Sequence, residues 1–261
     1  MEKIKQALDK ARQDRQQSGD EVAKQSAKPV SDISSIKYTK TQSVEGSHER
    51  MRENRLVSSM EQGEYTDALK ILSTQVLQRM KENHWNSIAI TSPRYATGKT
   101  TIAINLGLSI AREVEYTVLV VDANLRHPNL HEYFGIKPQK GLSEYLTSEI
   151  ELSDILINPK GVDHFVILPA GMPHSASSEL LGSPKMCSLV EELTSRYPKR
   201  IIIFDLPPIL ETAEALSFLP CVDTALVVVE DDVTKEADLK SAVDMLSVTN
   251  IIGTVLNKSM Y

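Results

Sequence analysis

Six short runs of β-branched and other apolar residues alternate with segments of helical period along the chain: SIAITS (87–92), YTVLVVD (116–122), HFVILP (164–169), RIIIFD (200–205), TALVVVE (224–230) and IIGTVLN (251–257). Their apolar character is nearly continuous, which marks strands buried on both faces, and the intervening helices imply right-handed parallel crossovers. The pattern predicts an α/β fold with a doubly wound, mainly parallel sheet. Upstream, Leu69, Leu72, Val76 and Met80 recur at helical spacing, and acidic residues between Glu61 and Asp67 suit the start of that helix. Nearer the N-terminus, Ile4, Ala7, Leu8 and Ala11 form an apolar stripe, so a short amphipathic helix is predicted over residues 1–16. Residues 17–50, rich in Ser, Lys, Gln, Asp and Glu, read as a flexible linker, leaving 51–261 as the folded domain.

Composition changes this picture only slightly. A net charge of -6 over 261 residues argues against nucleic acid as a general partner. Residues 1–60 carry 12 Lys/Arg against 9 Asp/Glu, a mild basic excess that reads as a solvated tail. No apolar run is long enough to span a bilayer and the first residues lack a signal-peptide core, so a cytoplasmic protein that reaches a membrane through a partner is expected. Cys187 and Cys221 match neither a disulfide framework nor a zinc pattern, which fits a reducing compartment.

Three loops at predicted strand ends carry the chemistry. The first, TSPRYATGKTTIAI (91–104), runs from a strand into a helix. Backbone N–H groups and the positive helix end favour phosphate there, Lys99 would reach the β and γ phosphates, and the Thr100 hydroxyl would hold Mg²⁺. Pro93 stands where the strict GxxxxGK[ST] pattern has its first glycine. The second, VLVVDANLRHP (118–128), delivers Asp122 to a sheet edge, with Asn124 and Arg126 following at two-residue steps. The carboxylate suits Mg²⁺ or a nucleophile, and the guanidinium suits phosphate oxygens. Pro128 predicts an irregular segment rather than a plain helix start. In the third, IIIFDLPP (201–208), four apolar residues drive Asp205 to a strand end, the place of a Mg²⁺ carboxylate in a nucleotide enzyme. His127 and His131 have no third ligand in view and read as surface or phosphate-adjacent residues, Trp85 as a core anchor, and SASSELL (175–181) as a capped helix start.

Taken together, these stretches resemble the bacterial tyrosine kinases of capsule and exopolysaccharide synthesis, relatives of the MinD/ParA P-loop ATPases with a deviant Walker A motif. MRENRLV (51–57), FGIKPQKGLSEYL (134–146), LPAGMPHSASSELLGSPKM (168–186), DLPPIL (205–210) and GTVLNKS (253–259) extend the likeness over about residues 51–259. The nearest subgroup is the soluble tyrosine autokinases encoded with exosortase-linked systems, which also begin with an IxxAL helix like Ile4 to Leu8. The resemblance implies transfer of the ATP γ-phosphate to tyrosine with Mg²⁺ as cofactor. It assigns Tyr95, Ala96, Thr97, Gly98, Lys99, Thr100 and Thr101 to nucleotide binding and Asn257 to reading adenine. Thr100, Asp122 and Asp205 fall to the metal, and Lys99, Asp122, Asp205 and Arg126 to catalysis. It also implies a membrane-embedded polysaccharide chain-length-determinant protein as partner, and homo-oligomers.

Departures from the family pattern define the alternatives. Tyr95, Ala96 and Thr97 replace the usual PGE-type residues before Gly98, and a φ > 0 at Ala96 would cost roughly 1 kcal/mol. The second aspartate of the A-prime motif is Asn124, which brings no charge and cannot act as a base. The ring-forming helix motif aligns with Asp67, Lys70 and Ser73, so its last Arg is lost. Instead of a tyrosine cluster the chain ends in Tyr261, a candidate phospho-acceptor. Two alternatives therefore stand beside the kinase: a weak or inactive nucleotide-bound regulator of the same machinery, and a MinD/ParA-type positioning ATPase, for which Arg94 occupies the place of the signature Lys.

Overall fold

The computed structural model describes residues 41–57, 63–113, 115–197 and 199–259. Within them run strands β1 (Gln42–Val44), β2 (Ser87–Thr91), β3 (Thr117–Asp122), β4 (Ile157–Pro159), β5 (Phe165–Leu168), β6 (Arg200–Asp205), β7 (Thr224–Glu230) and β8 (Asn250–Asn257). They form one sheet in the order β1-β4-β5-β3-β6-β2-β7-β8. Neighbours are parallel except β4 and β5, which meet antiparallel through Ile157 and Ile167. The helices are α1 (His48–Glu53), α2 (Glu64–Glu82), α3 (Lys99–Ala111), α4 (Leu130–Tyr133), α5 (Leu142–Thr147), α6 (Ser177–Leu181), α7 (Pro184–Arg196), α8 (Glu214–Phe218) and α9 (Glu236–Met245).

Successive strand residues point to opposite faces, so the continuous apolar runs supply two cores at once. On β6, Ile201 and Ile203 face the layer holding Leu69, Val76 and Met80 of α2 and Ile102 and Leu106 of α3. Ile202 and Phe204 face the opposite layer, with Leu189 and Leu193 of α7 and Phe218 of α8. Close packing of α3 on the sheet depends on Gly107, where an added Cβ would lie 2.9 Å from the Val120 side chain. After β2 the chain crosses the position of β6 to reach β3, and after β6 it crosses to the far side of β2 as β7. The loops leaving β2, β3 and β6 therefore converge beyond the carboxyl ends of three adjacent strands, where such sheets bind ligands.

All six strands expected from the apolar runs are present, as is the helix at 64–82. Two corrections concern weaker elements. Residues 42–44 and 48–50, expected as linker, form β1 and the first turn of α1; β1 hydrogen-bonds to β4, and α1 is capped by the Ser47 hydroxyl and buries Met51. A three-residue edge strand is held by its partner's backbone rather than by its own apolar pattern, so polar composition hid it. The rest of the expected linker and the expected helix over residues 1–16 lie outside the described residues.

The cysteines require a further correction. Cys187 on α7 and Cys221 after α8 are disulfide-bonded, with Cα atoms 5.3 Å apart. Their spacing of 34 residues gives no signal, because only the packing of α7 against the segment after α8 brings them together. The SASSELL stretch does begin a helix, but its N-cap is Ala176 without a side-chain cap. Ser177 instead donates to the Glu214 carboxylate at 2.6 Å.

Candidate nucleotide and metal site

The β2–α3 loop ends in Gly98, which has φ 86 and caps α3 without any side-chain cap. Helix-opening N–H groups have no intrahelical acceptor, so the positive end of α3 is left for an anion. Gly98 is also a close approach: an added Cβ would sit 2.2 Å from Nδ2 of Asn257. Lys99 and Thr100, the first two residues of α3, are buried with their side chains at the sheet edge.

Asp122 and Asp205 end β3 and β6 and are register partners across the two strands, which is the parallel sheet's own way of placing two carboxylates side by side. Thr100 Oγ1 donates to Asp205 Oδ2 at 2.7 Å. Asp122 accepts backbone N–H bonds from Asn124 at 3.1 Å, Asn129 at 3.2 Å and Leu130 at 3.1 Å, which order the irregular segment 123–129 expected from Pro128. Burial and then the Asp205 charge push the Asp122 carboxyl up to about 7, against the pull of those N–H bonds. Burial raises Asp205 as well, opposed by the Lys99 ammonium and the Thr100 hydroxyl.

Among the described residues, four buried side-chain polar atoms have no hydrogen-bond partner: Thr97 Oγ1, Asn124 Oδ1, Asn129 Oδ1 and Asp205 Oδ1. All four belong to the three converging loops. Buried polar groups are otherwise almost always satisfied, so this concentration marks a place that expects ligand atoms. Three oxygen acceptors of the carboxylate and amide type, beside a second buried carboxylate, fit a hard divalent cation such as Mg²⁺.

A cleft of about 420 Å³ lies over this point, lined by Tyr95, Ala96, Gly98, Lys99, Thr100, Asn124, His127, Asn129 and Tyr133. A second, of about 820 Å³, shares Gly98 with it and continues past Thr101 and Asn257 to Tyr65 and Leu256. The size and junction suit a nucleotide laid with its phosphates in the first cleft and its base in the second. Thr101 Oγ1 lies 3.1 Å from Tyr133 OH at the boundary.

Not every nominated residue points at phosphate. Arg126 pairs with Glu214 at 3.1 Å instead of facing the cleft, because the Glu214 carboxylate is buried beside it. Asn257 stands at the junction of the clefts but spends its amide on the Thr97 carbonyl, at 2.8 Å. Tyr261 lies outside the described residues. Arg94 is turned outward, bound to Asp238 at 2.7 Å and to Glu211 at 3.5 Å within its own chain. Asp67 and Lys70 are exposed on α2, whereas Ser73 is buried against the core.

Asn129, Tyr133 and Lys258 carry no signal of a site in the sequence. Asn129 and Tyr133 follow the β3 aspartate by chain distances that an irregular segment leaves undefined. Lys258 reaches the loop only because β8 ends beside it. Ala96 does adopt the left-handed conformation, φ 65. Replacing it with Gly should relieve about 1 kcal/mol of strain, offset in part by the greater freedom of Gly in the unfolded chain. Ala96→Gly is therefore expected to raise unfolding free energy by about 0.5 kcal/mol and to leave ATP affinity within about twofold, because the loop already holds that shape; thermal melts and calorimetric titration check both.

The comparisons with known proteins agree with this geometry. The family model described as "AAA domain" matches residues 85–260. Tyrosine-protein kinase YwqD of Bacillus subtilis is 26% identical over 210 residues, covering 80% of this chain and 87% of that protein. Tyrosine-protein kinase Etk of Escherichia coli is 30% identical over 193 residues, 73% of this chain but only 26% of Etk, so the chain spans about a quarter of that relative's length. The solved kinase domain of Etk superposes with a TM-score of 0.68 at 28% identity, covering 75% of this chain and 78% of that domain. The cell-division ATPase MinD of Pyrococcus furiosus superposes less well, with a TM-score of 0.54 at 26% identity over 67% of this chain and 74% of MinD. A P-loop opening α3, aspartates at the ends of β3 and β6, and a matching sequence model across two thirds of its length place this chain in the AAA domain family, among relatives that are bacterial tyrosine-protein kinases.

Proposed function

We propose that this chain is an ATP-dependent protein-tyrosine autokinase of an exopolysaccharide or capsule system. The observation that carries the reading is the cluster of unpartnered buried oxygens around Asp205, set between the Lys99 end of α3 and Asp122. In the reaction, the phenol oxygen of a tyrosine bonds to the γ-phosphorus of ATP, the bond from that phosphorus to the bridging oxygen breaks, and ADP leaves. Lys99 and the N–H groups opening α3 hold phosphate charge in place. Asp122, buried beside Asp205, would assist the metal or receive the phenol proton. Thr100, Asp205 and Asp122 would hold Mg²⁺, which when bound neutralises charge on the phosphate oxygens. Gly98 lines both clefts and Thr101 and Asn257 line the second, which supports nucleotide contacts from these residues, and Thr97 brings a buried, unpartnered hydroxyl to the same loop.

The partner we propose is a membrane-embedded chain-length-determinant protein at the inner face of the membrane, and no helix among the described residues is long and apolar enough to cross a bilayer. The test is incubation of the purified chain with γ-labelled ATP and Mg²⁺, with phosphopeptide mapping of the product. Label on tyrosine is expected, and mapping decides whether Tyr261 is the acceptor. ATP binding without any tyrosine label would leave the regulator reading, which the uncharged Asn124 favours. The positioning-ATPase reading draws less support, since Arg94 is committed to Asp238 and Glu211 of its own chain.

A further inference from the structure

The loop that opens α3 is short of glycine, and its Ala96 holds a left-handed φ of 65 that a side chain disfavours. Something outside the loop must keep that conformation. Two consecutive residues at the end of β8 bond to its carbonyls. Asn257 Nδ2 donates to Thr97 O at 2.8 Å, and Lys258 Nζ donates to Ala96 O at 2.7 Å. Lys258 is itself fixed by Glu230 at the end of β7, at 3.0 Å. The two strand ends are further tied by the Asp231 N–H to the Asn257 carbonyl, at 3.0 Å, while the Glu230 N–H bonds to Thr234 Oγ1 at 2.8 Å.

Holding the Ala96 and Thr97 carbonyls toward β8 fixes the intervening peptide planes. A peptide's N–H points opposite to its carbonyl. The N–H groups that follow these carbonyls are therefore aimed away from β8, and without the anchor Ala96 would relax to negative φ and turn the peptide. On these grounds we infer that Lys258, held by Glu230, is a positioning residue that fixes the phosphate-binding shape of the Ala96-containing loop, a task that glycine at position 96 would make largely unnecessary. The inference rests on the nucleotide-site reading, and it adds a residue and a coupling that reading does not contain.

The experiment is a double-mutant cycle on the full chain, with ATP affinity measured calorimetrically in the presence of Mg²⁺ for wild type, Lys258→Met, Ala96→Gly and the double variant. Lys258→Met is expected to weaken ATP about tenfold, the scale of a charge-assisted hydrogen bond, with unchanged circular dichroism. In the Ala96→Gly background the same change should cost less than about threefold, the difference being the coupling between the two sites. Lys258→Arg should restore most of the affinity, and Glu230→Gln should reproduce part of the loss. Hydrogen exchange in the nucleotide-free protein supplies a readout that does not depend on ATP: amides of residues 96–100 should exchange faster in Lys258→Met than in wild type. Equal losses in both backgrounds, or no loss and no change in exchange, would overturn the positioning role. A wild type that binds no ATP but shows the faster exchange in the variant would instead sink the nucleotide reading while leaving the brace in place.

Discussion

Lys99→Ala is expected to reduce tyrosine phosphorylation by about a thousandfold while leaving the sheet intact. Lys99 is buried at the first turn of α3, where its ammonium acts on the Asp205 charge and its side chain lines the cleft. Removing it takes away a preorganised positive charge at the point where phosphoryl oxygens gather charge in the transition state. Because the same ammonium also helps bind ground-state ATP, KM should rise as well as kcat fall. Lys99→Arg should recover little: a planar guanidinium does not reproduce the compact point charge of a buried ammonium acting on Asp205. Single-turnover transfer with labelled ATP measures the effect. A variant within tenfold of wild type would show that the phosphate charge is handled elsewhere.

Asp122→Asn should abolish transfer and yet stabilise the metal-free protein. Asp122 is fully buried and its folded pKa is raised from 3.8 to about 7, by burial first and the Asp205 charge second. An acid whose folded pKa lies above its unfolded value contributes stability that is complete below about 4 and lost as pH rises through about 7. Between those limits the wild type forfeits at most about 4 kcal/mol, taking about 1.4 kcal/mol per pH unit. Asparagine keeps an oxygen for the Asn129 and Leu130 N–H bonds, which share Oδ2, gives up the Asn124 bond to Oδ1 and carries no charge, so the variant escapes most of that loss. In chelator-treated protein the variant should therefore melt several degrees above wild type at pH 8, with the gap closing toward pH 4. Mg²⁺ with a nucleotide should raise the wild-type midpoint by more than it raises the variant's, since the cation supplies the charge that two adjacent carboxylates need. Equal melting of the two proteins at pH 8 without metal would mean that Asp122 ionises freely and that the pair is not strained.

The stretch around Gly98 shows why part of the site was legible and part was not. A strand of apolar residues, a loop and GKTT opening a helix form a local unit: the helix end, Lys99 and Thr100 are set by residues within one turn of each other. Asp122 and Asp205 were legible for a related reason, since an apolar run that ends in an acid must place that acid at a sheet edge. Their being register partners was not legible, because it depends on β6 returning between β2 and β3. Arg126 was assigned to phosphate on its guanidinium chemistry and its place after Asp122, and in the structure it pairs with Glu214, a residue 88 positions away in sequence whose buried carboxylate nothing local reveals. The strained Ala96 was anticipated from its place in the loop, whereas the lysine at its carbonyl comes from the far end of the chain.

The amino-acid sequence by itself determined the two-faced apolar strands, their helical connections, the phosphate-binding helix start and the acids that close two strands. Each of these follows from periodicity or from residues only a few positions apart. Only the tertiary structure decided which strands are neighbours, that 42–44 completes the sheet edge, that Cys187 meets Cys221, and that β8 supports the loop it never touches in sequence. Those outcomes depend on pairings between segments far apart in the chain. Their energies come from backbone bonds and side-chain contacts that exist only after the layers have packed.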